Sequence, residues 1–316
     1  MRVFITGASG HIGSAVVPEL LAAGHQVIGL ARSDASAAAL TAAGATVRGG
    51  DLDDLVGLQE AAAAADGVIH LAFKHEVAFT GDFAGAAAAD LRAVDAIGAA
   101  LEGSGKPFVG TSGTLLLTRA AAGRVGTEQD HLDAGPRIDS ENAVIAMADR
   151  GVRSSVIRLA PTVHSSLDHH GFVPTLIAMA RKNRTAAYVG DGSNRWPAVH
   201  TLDAARLYRL ALENAPAGSR LHGVADEGVP FRVIAEAIGR GLGVPTIGVT
   251  AEDAPQHLGF LAMFAQLDNP TSSAQTQALL GWRPTHSGLL ADLAERHYFE
   301  VAPDPLWDAR PQGATS

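Results

Sequence analysis

The feature that most constrains the fold is a glycine-rich segment near the N-terminus, Val3-Phe4-Ile5-Thr6-Gly7-Ala8-Ser9-Gly10-His11-Ile12-Gly13. An apolar, strand-like run leads into a glycine turn, and a helical pattern follows. Gly7 allows a tight turn, Gly10 lets the backbone approach a pyrophosphate, and Gly13 lets a helix pack closely on the strand. Free N–H groups of the first helical turn favour a bound phosphate. The segment predicts a dinucleotide site, with a ligand-free turn as the alternative. The predicted contacts are Gly7, Ser9, Gly10, His11, Ile12 and Gly13.

Strands and helices alternate over the first half of the chain. Short runs rich in Val, Ile and Leu, with little polar alternation, are typical of strands buried on both faces of a parallel sheet. These runs are Arg2–Thr6, Gln26–Ala31, Thr46–Gly49, Gly67–Leu71, Pro107–Thr111 and Arg153–Leu159. Helical patterns separate them, so the chain is predicted to be an α/β protein with a Rossmann-type doubly wound parallel sheet.

The rhythm changes after about residue 165, which predicts a smaller C-terminal substrate lobe. Helices are expected over Phe172–Arg181, Leu202–Leu212 and Phe231–Leu242, and a short strand over Ala186–Val189. We predict a nucleotide-binding domain over 1–165, with 185–225 returning to it. The lobe is predicted over 166–184 and 226–300, followed by a flexible tail over 301–316.

Composition excludes several classes of function. The net charge of −9 argues against a nucleic-acid-binding surface. No cysteine is present, so thiolate nucleophiles, disulfides and cysteine-bound metals are excluded. The N-terminus shows no signal-peptide pattern, and no apolar run approaches the ~20 residues that a membrane helix needs. These features predict a cytoplasmic protein without a membrane partner.

The end of the second strand favours a phosphorylated cofactor. A site for NAD usually places an acidic residue here to bind the ribose hydroxyl, whereas this chain has Ala31 followed by Arg32 and Ser33. A guanidinium beside a hydroxyl suits a 2′-phosphate, so we predict NADP(H), with a solvated Arg32 as the alternative. Asp51, before Leu52, either accepts a hydrogen bond from the adenine or caps the next helix.

The ordered motifs resemble those of the extended short-chain dehydrogenase/reductases, which are related to NAD(P)-dependent epimerases and dehydratases. The resemblance extends to about residue 300. It is carried by Thr6-Gly7-x-x-Gly10-x-x-Gly13, Gly50-Asp51-Leu52, His70-Leu71-Ala72, Thr111-Ser112-Gly113-Thr114, Arg158-Leu159-Ala160-Pro161, Gly190-Asp191-Gly192, Arg195-Trp196 to His200-x-x-Asp203, and Leu280-Gly281-Trp282-x-Pro284. It implies cofactor contacts at Asp51, Leu52, Leu71, Ala72 and Thr111.

The chain departs from the family at its catalytic pair, a Tyr followed four residues later by a Lys. In that pair the Lys lowers the Tyr pKa so that the phenol can exchange a proton with the substrate. No Tyr–Lys pair with this spacing exists in the chain, and Arg137-Ile138-Asp139-Ser140-Glu141 stands at the expected place. Since an arginine does not give up a proton at useful pH, the chain resembles an atypical member that needs another proton donor.

Three residues are candidates for the missing chemistry. Ser112 occupies the place where the family keeps a hydroxyl for the substrate carbonyl, with Thr111 and Thr114 as neighbouring possibilities. His75 follows the fourth strand at the edge where such sheets bind ligands, and a histidine there can act as an acid. His164 lies where the family's chain passes the nicotinamide. The alternatives are a polar strand cap, an exposed loop residue and a structural histidine, respectively.

Other polar residues have weaker assignments. Lys74 is expected to bind the cofactor ribose or a substrate carboxylate. Arg195 and Trp196 are expected to line the substrate pocket, although Trp196 could equally be core. Asp168-His169-His170 lacks the convergent ligands of a metal site, so no metal is predicted. Asp90 is interpreted as a carboxylate on the surface of a helix, in preference to a structural group near the site.

These inferences lead to three functional hypotheses. The first is an NADPH-dependent reductase of a small carbonyl or imine compound. The second is a non-catalytic NADP-binding sensor, suggested by the missing Tyr and Lys. The third is a sugar-nucleotide epimerase or dehydratase, ranked last because those reactions also use the absent Tyr. A homodimer is possible, because relatives pack the helices around 83–102 and 140–150 into a dimer seam.

Overall fold

The computed structural model describes residues 1–300, and the predicted flexible tail, 301–316, lies outside them. The described part contains twelve strands. They are β1 (Arg2–Thr6), β2 (Gln26–Ala31), β3 (Thr46–Gly49), β4 (Gly67–His70), β5 (Pro107–Gly113), β6 (Arg153–Leu159), β7 (Thr162–His164), β8 (Ala186–Val189), β9 (Arg195–His200), β10 (Ser219–Gly223), β11 (Asp226–Pro230) and β12 (Thr246–Val249).

Thirteen α-helices lie in the same range. They are α1 (His11–Ala22), α2 (Asp34–Ala42), α3 (Leu55–Ala64), α4 (His75–Phe79), α5 (Phe83–Leu101), α6 (Ile138–Ala146), α7 (Phe172–Asn183), α8 (Thr201–Asn214), α9 (Phe231–Leu242), α10 (Ala254–Leu258), α11 (Ala274–Leu280), α12 (Leu289–Asp292) and α13 (His297–Glu300). Three 3₁₀ segments, Thr114–Thr118, Met147–Arg150 and Gly259–Met263, complete the list. Within residues 1–300, no helix combines the length and apolar character needed to cross a membrane.

The central sheet has seven parallel strands in the order β10-β6-β5-β4-β1-β2-β3. Its middle strands are apolar because helices cover both faces; Val3, Phe4 and Ile5 in β1 are all fully buried. One core lies between the sheet and the α1/α8 face, and a second between the sheet and the α3/α5/α6 face. The predicted doubly wound fold is confirmed.

The chain runs outward from β1 to β3 and then returns to β4 on the other side of β1. This reversal leaves a crevice at the carboxyl ends of β1 and β4, the place where open α/β sheets bind ligands. The loops that follow β1, β2, β4 and β5 all end at this edge.

A smaller lobe is built on two short sheets, β11-β9-β7 and β12-β8. Its core contains Trp196 and Phe231 with aliphatic residues of α7 and α9. Of the predicted returning segment 185–225, α8 and β10 rejoin the central layers, whereas β8 and β9 pair within the lobe. The edge beside β6 is occupied by β10, and β8 and β9 instead hydrogen-bond to β12 and to β7 and β11 respectively.

The six strands predicted for the first half agree with the structure to within two residues. The predicted helix over 140–150 is divided, because α6 ends at Ala146 and a 3₁₀ turn continues to Arg150. The short helix α4 was not predicted. Its five residues are too few to show a helical period, and its position depends on contacts with neighbouring loops.

The packing of α1 on β1 predicts a large cost for any side chain at Gly13. A Cβ there would lie 2.2 Å from the Gly7 carbonyl oxygen and 2.5 Å from that of Ala8. We expect Gly13→Ala to destabilise the protein by about 1–3 kcal/mol, measured by urea unfolding. The matched control is Gly49→Ala, where a Cβ would meet nothing within 4 Å. Equal unfolding midpoints for the two variants would contradict this account of the turn.

Candidate active site at the sheet edge

The turn after β1 forms a backbone cradle. Gly7 has φ of +69°, and a Cβ on it would come within 2.7 Å of the Ala72 nitrogen in the loop after β4. Gly10 is the N-cap of α1 and offers no side chain to the helix. The first-turn N–H groups therefore face the crevice without a capping side chain, which suits a phosphate. Ser9 is exposed beside this turn, and Ile12 is partly buried behind it.

The His11 side chain points away from the crevice into the protein. Its Nε2 lies 2.8 Å from the Thr201 hydroxyl at the start of α8. Burial, together with the charges of four neighbouring histidines, lowers the pKa of His11 to about 4. Only the His11 backbone is thus placed to meet a cofactor at the turn.

Two ion pairs link the loops that surround the outer half of the crevice. Arg32, after β2, pairs with Glu76 of α4. Lys74, after β4, donates to Asp53 after β3 at 2.5 Å. Because β1 lies between β4 and β2, both pairs cross the crevice where the adenosine half of a dinucleotide would lie.

Ser33 and Asp51 have local structural roles in addition to their predicted ones. The Ser33 hydroxyl caps α2 by accepting from the Ser36 N–H at 3.2 Å. Asp51 accepts from the N–H groups of Asp53 and Asp54 in a tight turn, at 2.8 and 3.2 Å. The alternative that Asp51 caps the next helix is wrong, because the Asp54 carboxylate, one residue before α3, accepts the capping N–H of Gly57.

A buried chain of polar side chains lies beneath the crevice. The Thr6 hydroxyl and His70 Nδ1 share a hydrogen bond of 2.7 Å, and His70 Nε2 lies 3.1 Å from the Asp90 carboxylate. The interpretation of Asp90 as a surface carboxylate is wrong, since it is only 2 % exposed. Burial raises the Asp90 pKa, but the bond to His70 and the Arg137 charge outweigh it and hold the pKa below its usual value. This chain of bonds joins α5 to the ends of β1 and β4.

The hydroxyl side chains of Thr111 and Ser112, at the end of β5, point to opposite faces of the sheet. The Thr111 hydroxyl donates to the His70 carbonyl at 2.7 Å and lies 2.8 Å from the buried Tyr208 hydroxyl. Ser112 faces the opposite side, near Glu141 of α6, and is 5 % exposed. Strand alternation explains this division, because successive side chains point to opposite faces.

Glu141, at the place of the family's Lys, belongs to a buried ionic network. The single Arg158 Nε–H lies 3.1 Å from both Glu141 carboxylate oxygens, and Arg158 Nη2 donates a further hydrogen bond of 2.5 Å. Arg220 Nε also donates to Glu141, at 3.1 Å. Burial raises the Glu141 pKa, but the Arg158 charge prevails and keeps the pKa below its usual value. A Lys at this position would repel both arginines, whereas the Glu141 carboxylate attracts them.

Three side chains contact one another at the inner end of the crevice. The Arg137 guanidinium lies 4.1 Å from the centre of the Phe73 ring, and the His75 ring meets Phe73 edge-on at 5.1 Å. Arg137 Nη2 donates to the Thr111 carbonyl at 2.9 Å. Desolvation, followed by the Arg137 charge, lowers the His75 pKa.

His164, the third catalytic candidate, is fully buried away from this stack. Its Nδ1 lies 2.8 Å from the Asp292 carboxylate, and its ring meets His200 edge-on. Nearby, Asp168 accepts from the Gly171 N–H at 2.7 Å and lies 3.6 Å from His11. Burial raises the Asp168 pKa to about 7, and the Asp292 charge acts in the same direction. No cluster of three or more His, Cys, Asp or Glu side chains in residues 1–300 is arranged to hold a metal.

The predicted substrate residues are distributed between the lobes. Thr114 is buried and exchanges two hydrogen bonds with Asn269, at 2.8 and 2.9 Å. Arg195 is paired with Asp268 at 2.7 Å, and Trp196 is fully buried in the core of the smaller lobe. Leu52 is buried at the end of the β3 loop, whereas Leu71 and Ala72 are partly accessible beside Gly7.

Sequence reasoning did not identify Arg137, Phe73 and His70 as parts of the site. Arg137 was recognised only as the residue that replaces the family's Tyr. Its stacking depends on φ of +64°, an unusual conformation for a residue other than glycine. No sequence pattern signals this conformation, although the motif position itself was a usable clue.

Comparison with known proteins supports the fold and the glycine turn. Residues 3–112 match the model of the NAD dependent epimerase/dehydratase family. An uncharacterised protein of Schizosaccharomyces pombe is 48 % identical over 301 residues, covering 95 % of this chain and 100 % of the relative. An uncharacterised protein of Saccharomyces cerevisiae is 43 % identical over 298 residues, covering 93 % and 98 %.

Two further matches are to proteins with a named activity. A 2-alkyl-3-oxoalkanoate reductase of Stenotrophomonas maltophilia is 27 % identical over 260 residues, covering 78 % of this chain and 77 % of the relative. A double mutant of the dTDP-glucose 4,6-dehydratase from Streptomyces venezuelae, solved with NAD bound, superposes with a TM-score of 0.75. It has 22 % identity and covers 94 % of this chain and 96 % of its own. The structural match shows the shared fold.

The raised pKa of Asp168 predicts a pH-dependent stability. Between its unfolded pKa of 3.8 and its folded value of about 7, the folded protein binds the proton more tightly. The free energy of unfolding that this bound proton contributes is fully present below pH 3.8 and is lost as the pH rises through 7. Relative to Asp168→Asn, the wild type should lose about 2–3 kcal/mol between pH 5 and pH 8 in urea unfolding.

The control for this prediction is Asp191→Asn. Asp191 is exposed, and the Ser193 N–H lowers its pKa, so it stays charged over the whole window. The difference between this variant and wild type should be constant from pH 5 to pH 8. An equally constant difference for Asp168→Asn would show that Asp168 is charged throughout.

Proposed function

The chain belongs to the NAD dependent epimerase/dehydratase family, and from that premise we propose that it is an NADP(H)-dependent oxidoreductase that reduces a small carbonyl or imine compound. The observation that carries the proposal is the arrangement of one crevice. A backbone cradle lies at its centre, Arg32 at its outer end, and the stacked Phe73, His75 and Arg137 at its inner end.

The cradle fits a dinucleotide on its own geometry. Gly7 and Gly13 stand where a Cβ would collide with backbone, and the uncapped first turn of α1 offers N–H groups to a pyrophosphate. Arg32 and Ser33 would hold the 2′-phosphate, and Leu71, Ala72 and Thr111 would border the inner ribose. The bound cofactor would supply the hydride, and the protein would supply position, electrostatics and a proton.

His75 is the proton donor that the geometry favours over His164. It is exposed at the start of α4, after β4, and contacts Phe73, whereas His164 is fully buried and bonded to Asp292. Ser112 would contribute through its hydroxyl only if the substrate reached the floor of the crevice beside Glu141. A carbonyl substrate also agrees with the named activity of the Stenotrophomonas maltophilia relative, which by its name reduces an oxo group.

A sugar-nucleotide epimerase or dehydratase is the second candidate. The family description and the superposed dehydratase favour it. The missing Tyr–Lys pair counts against it, since those reactions need a phenol to exchange protons with the sugar. A sensor that binds the cofactor without turnover is the remaining alternative.

Cofactor titration followed by a substrate panel tests the proposal. Purified protein is titrated with NADPH and with NADH by fluorescence, and NADPH oxidation is then measured with ketones, aldehydes and cyclic imines. UDP-glucose and dTDP-glucose are incubated separately with the protein and NAD⁺. Turnover of the first panel supports the reductase, conversion of the sugar nucleotides supports the second candidate, and binding without turnover supports the sensor. No binding would contradict all three.

Arg32 is expected to determine the cofactor preference. Arg32→Ala should weaken NADPH binding about 10- to 100-fold, because a charge-assisted bond to phosphate is lost, and should leave NADH binding nearly unchanged. Glu76→Gln is the matched control. It removes the carboxylate that competes for Arg32, so NADPH binding should be unchanged or tighter. A parallel loss for both cofactors in Arg32→Ala would exclude 2′-phosphate recognition.

The proton donor is tested by three variants assayed with a reduced substrate. We expect His75→Ala to lower kcat about 100-fold or more, because proton transfer in the transition state is lost. His164→Ala should change mainly stability, and Ser112→Ala should have an intermediate effect. The measurement is kcat together with the melting temperature of each variant. A wild-type kcat for His75→Ala would remove it as the donor.

A further inference from the structure

We propose that the substrate carries a carboxylate and that Arg137 binds it. This inference rests on the proposed reductase function and specifies the substrate class of the same crevice: an oxo acid reduced to a hydroxy acid. Arg137 replaces the phenol that the family uses for chemistry, and the change turns a proton-exchanging position into an anion-binding one.

The position of Arg137 is set by its backbone and by two neighbours. The residue precedes α6 with φ of +64° and ψ of −24°, a left-handed conformation. This conformation directs the side chain back over the end of β5, where Nη2 donates to the Thr111 carbonyl. The Phe73 ring covers one face of the guanidinium at 4.1 Å. A hydrogen bond and a stacked ring hold the group in place without neutralising its charge.

The remaining donors of Arg137 are available to a ligand. A guanidinium carries five N–H donors, of which the Thr111 carbonyl takes one. In residues 1–300, Arg137 forms no salt bridge with an Asp or Glu side chain. The cations on the loops after β2 and β4, Arg32 and Lys74, are paired with Glu76 and Asp53 respectively. Arg137 differs from these two cations in that no Asp or Glu side chain of residues 1–300 is paired with it.

The shape of the free surface favours a carboxylate. Phe73 blocks one face, so a ligand approaches along the edge of the guanidinium plane. Two parallel N–H groups on that edge match the two oxygens of a planar carboxylate. Asp90, a buried acid whose pKa the Arg137 charge helps to lower, is hydrogen-bonded to His70 at 3.1 Å and forms no ion pair with Arg137 among the described side chains.

Binding an anion here would also prepare the proton donor. In the free protein the Arg137 charge helps to lower the His75 pKa. A carboxylate on Arg137 would offset that charge, which is the largest cause of the lowered pKa after burial, and would therefore favour the protonated imidazole when substrate is present. In the reaction the hydride from NADPH bonds to the carbonyl carbon and the C=O π pair moves to oxygen. His75 protonates that oxygen, then regains a proton from water, leaving NADP⁺ and the hydroxy acid.

Matched pairs of oxo acids and their methyl esters test the inference. Pyruvate, acetoacetate and 4-oxopentanoate vary the separation between carbonyl and carboxylate, and each has a neutral methyl ester of nearly the same size. The kcat/KM for NADPH oxidation is measured for each pair. We expect at least one acid to exceed its ester by about 10- to 100-fold, the range for a charge-assisted bidentate bond.

Arg137→Gln removes the charge, and Arg137→Lys keeps it without the paired donors. The ratio of kcat/KM for the acid to kcat/KM for its ester should fall to near one in Arg137→Gln. In Arg137→Lys the ratio should lie between one and the wild-type value. The matched control is Arg184→Gln, since Arg184 is an exposed arginine with a left-handed φ of +56° at the end of α7. It shares the backbone strain and the charge loss but lies outside the crevice, so the ratio should stay at the wild-type value.

A binding measurement separates this inference from the proposed function. The same acids and esters are titrated calorimetrically into protein saturated with NADP⁺, and into protein alone if NADP⁺ does not bind. Preferential binding of an acid that Arg137→Gln abolishes supports the carboxylate site, even if no turnover occurs. Equal binding of acid and ester, or a preference unaffected by Arg137→Gln, overturns it, even if reductase activity is present.

Discussion

The close approach of α1 to the end of β1 is the constraint on which the site depends. A Cβ at Gly13 would lie 2.2 Å from the Gly7 carbonyl, and one at Gly7 would lie 2.7 Å from the Ala72 nitrogen. Three chain segments therefore meet with backbone against backbone at the edge of the sheet. This contact fixes the direction of the α1 N–H groups and brings the β4 loop, with Phe73, Lys74 and His75, alongside them.

A buried ion pair includes the residue that stands at the position of the family's catalytic Lys, Glu141. The Glu141–Arg158 pair joins α6 to β6, and both side chains are almost completely buried. Removing one partner of such a pair is costly, because an uncompensated charge remains inside the protein. The pair anchors the start of α6 and with it Arg137, whose unusual backbone conformation aims the guanidinium at the crevice. The loss of Tyr and Lys thus accompanies a coordinated change of charge at both positions.

The cationic side chains around the crevice differ in whether a carboxylate is paired with them. Arg32 and Lys74 are paired across the outer half, and in the proposed complex a cofactor exchanges those partners for phosphate or ribose. Arg137, at the inner half, has an aromatic and a carbonyl neighbour instead of a carboxylate. The second polar cluster, around His11, Asp168 and Asp292, is enclosed between α1, α8 and the smaller lobe. Because Asp168 is buried there with a raised pKa, this cluster makes stability depend on pH.

The sequence by itself determined the doubly wound sheet, the glycine turn and the family, because apolar strand runs and glycine spacing are local signals. It also located Arg32, His75 and the replaced Tyr–Lys pair by their positions after particular strands. Only the tertiary structure decided which of these side chains meet. Asp90 is buried against His70, His164 is enclosed by the lobe, and Arg137 stacks on Phe73, since each outcome depends on contacts between residues far apart in the chain. Burial and pairing are properties of the packed molecule, and a single sequence carries no local pattern for them.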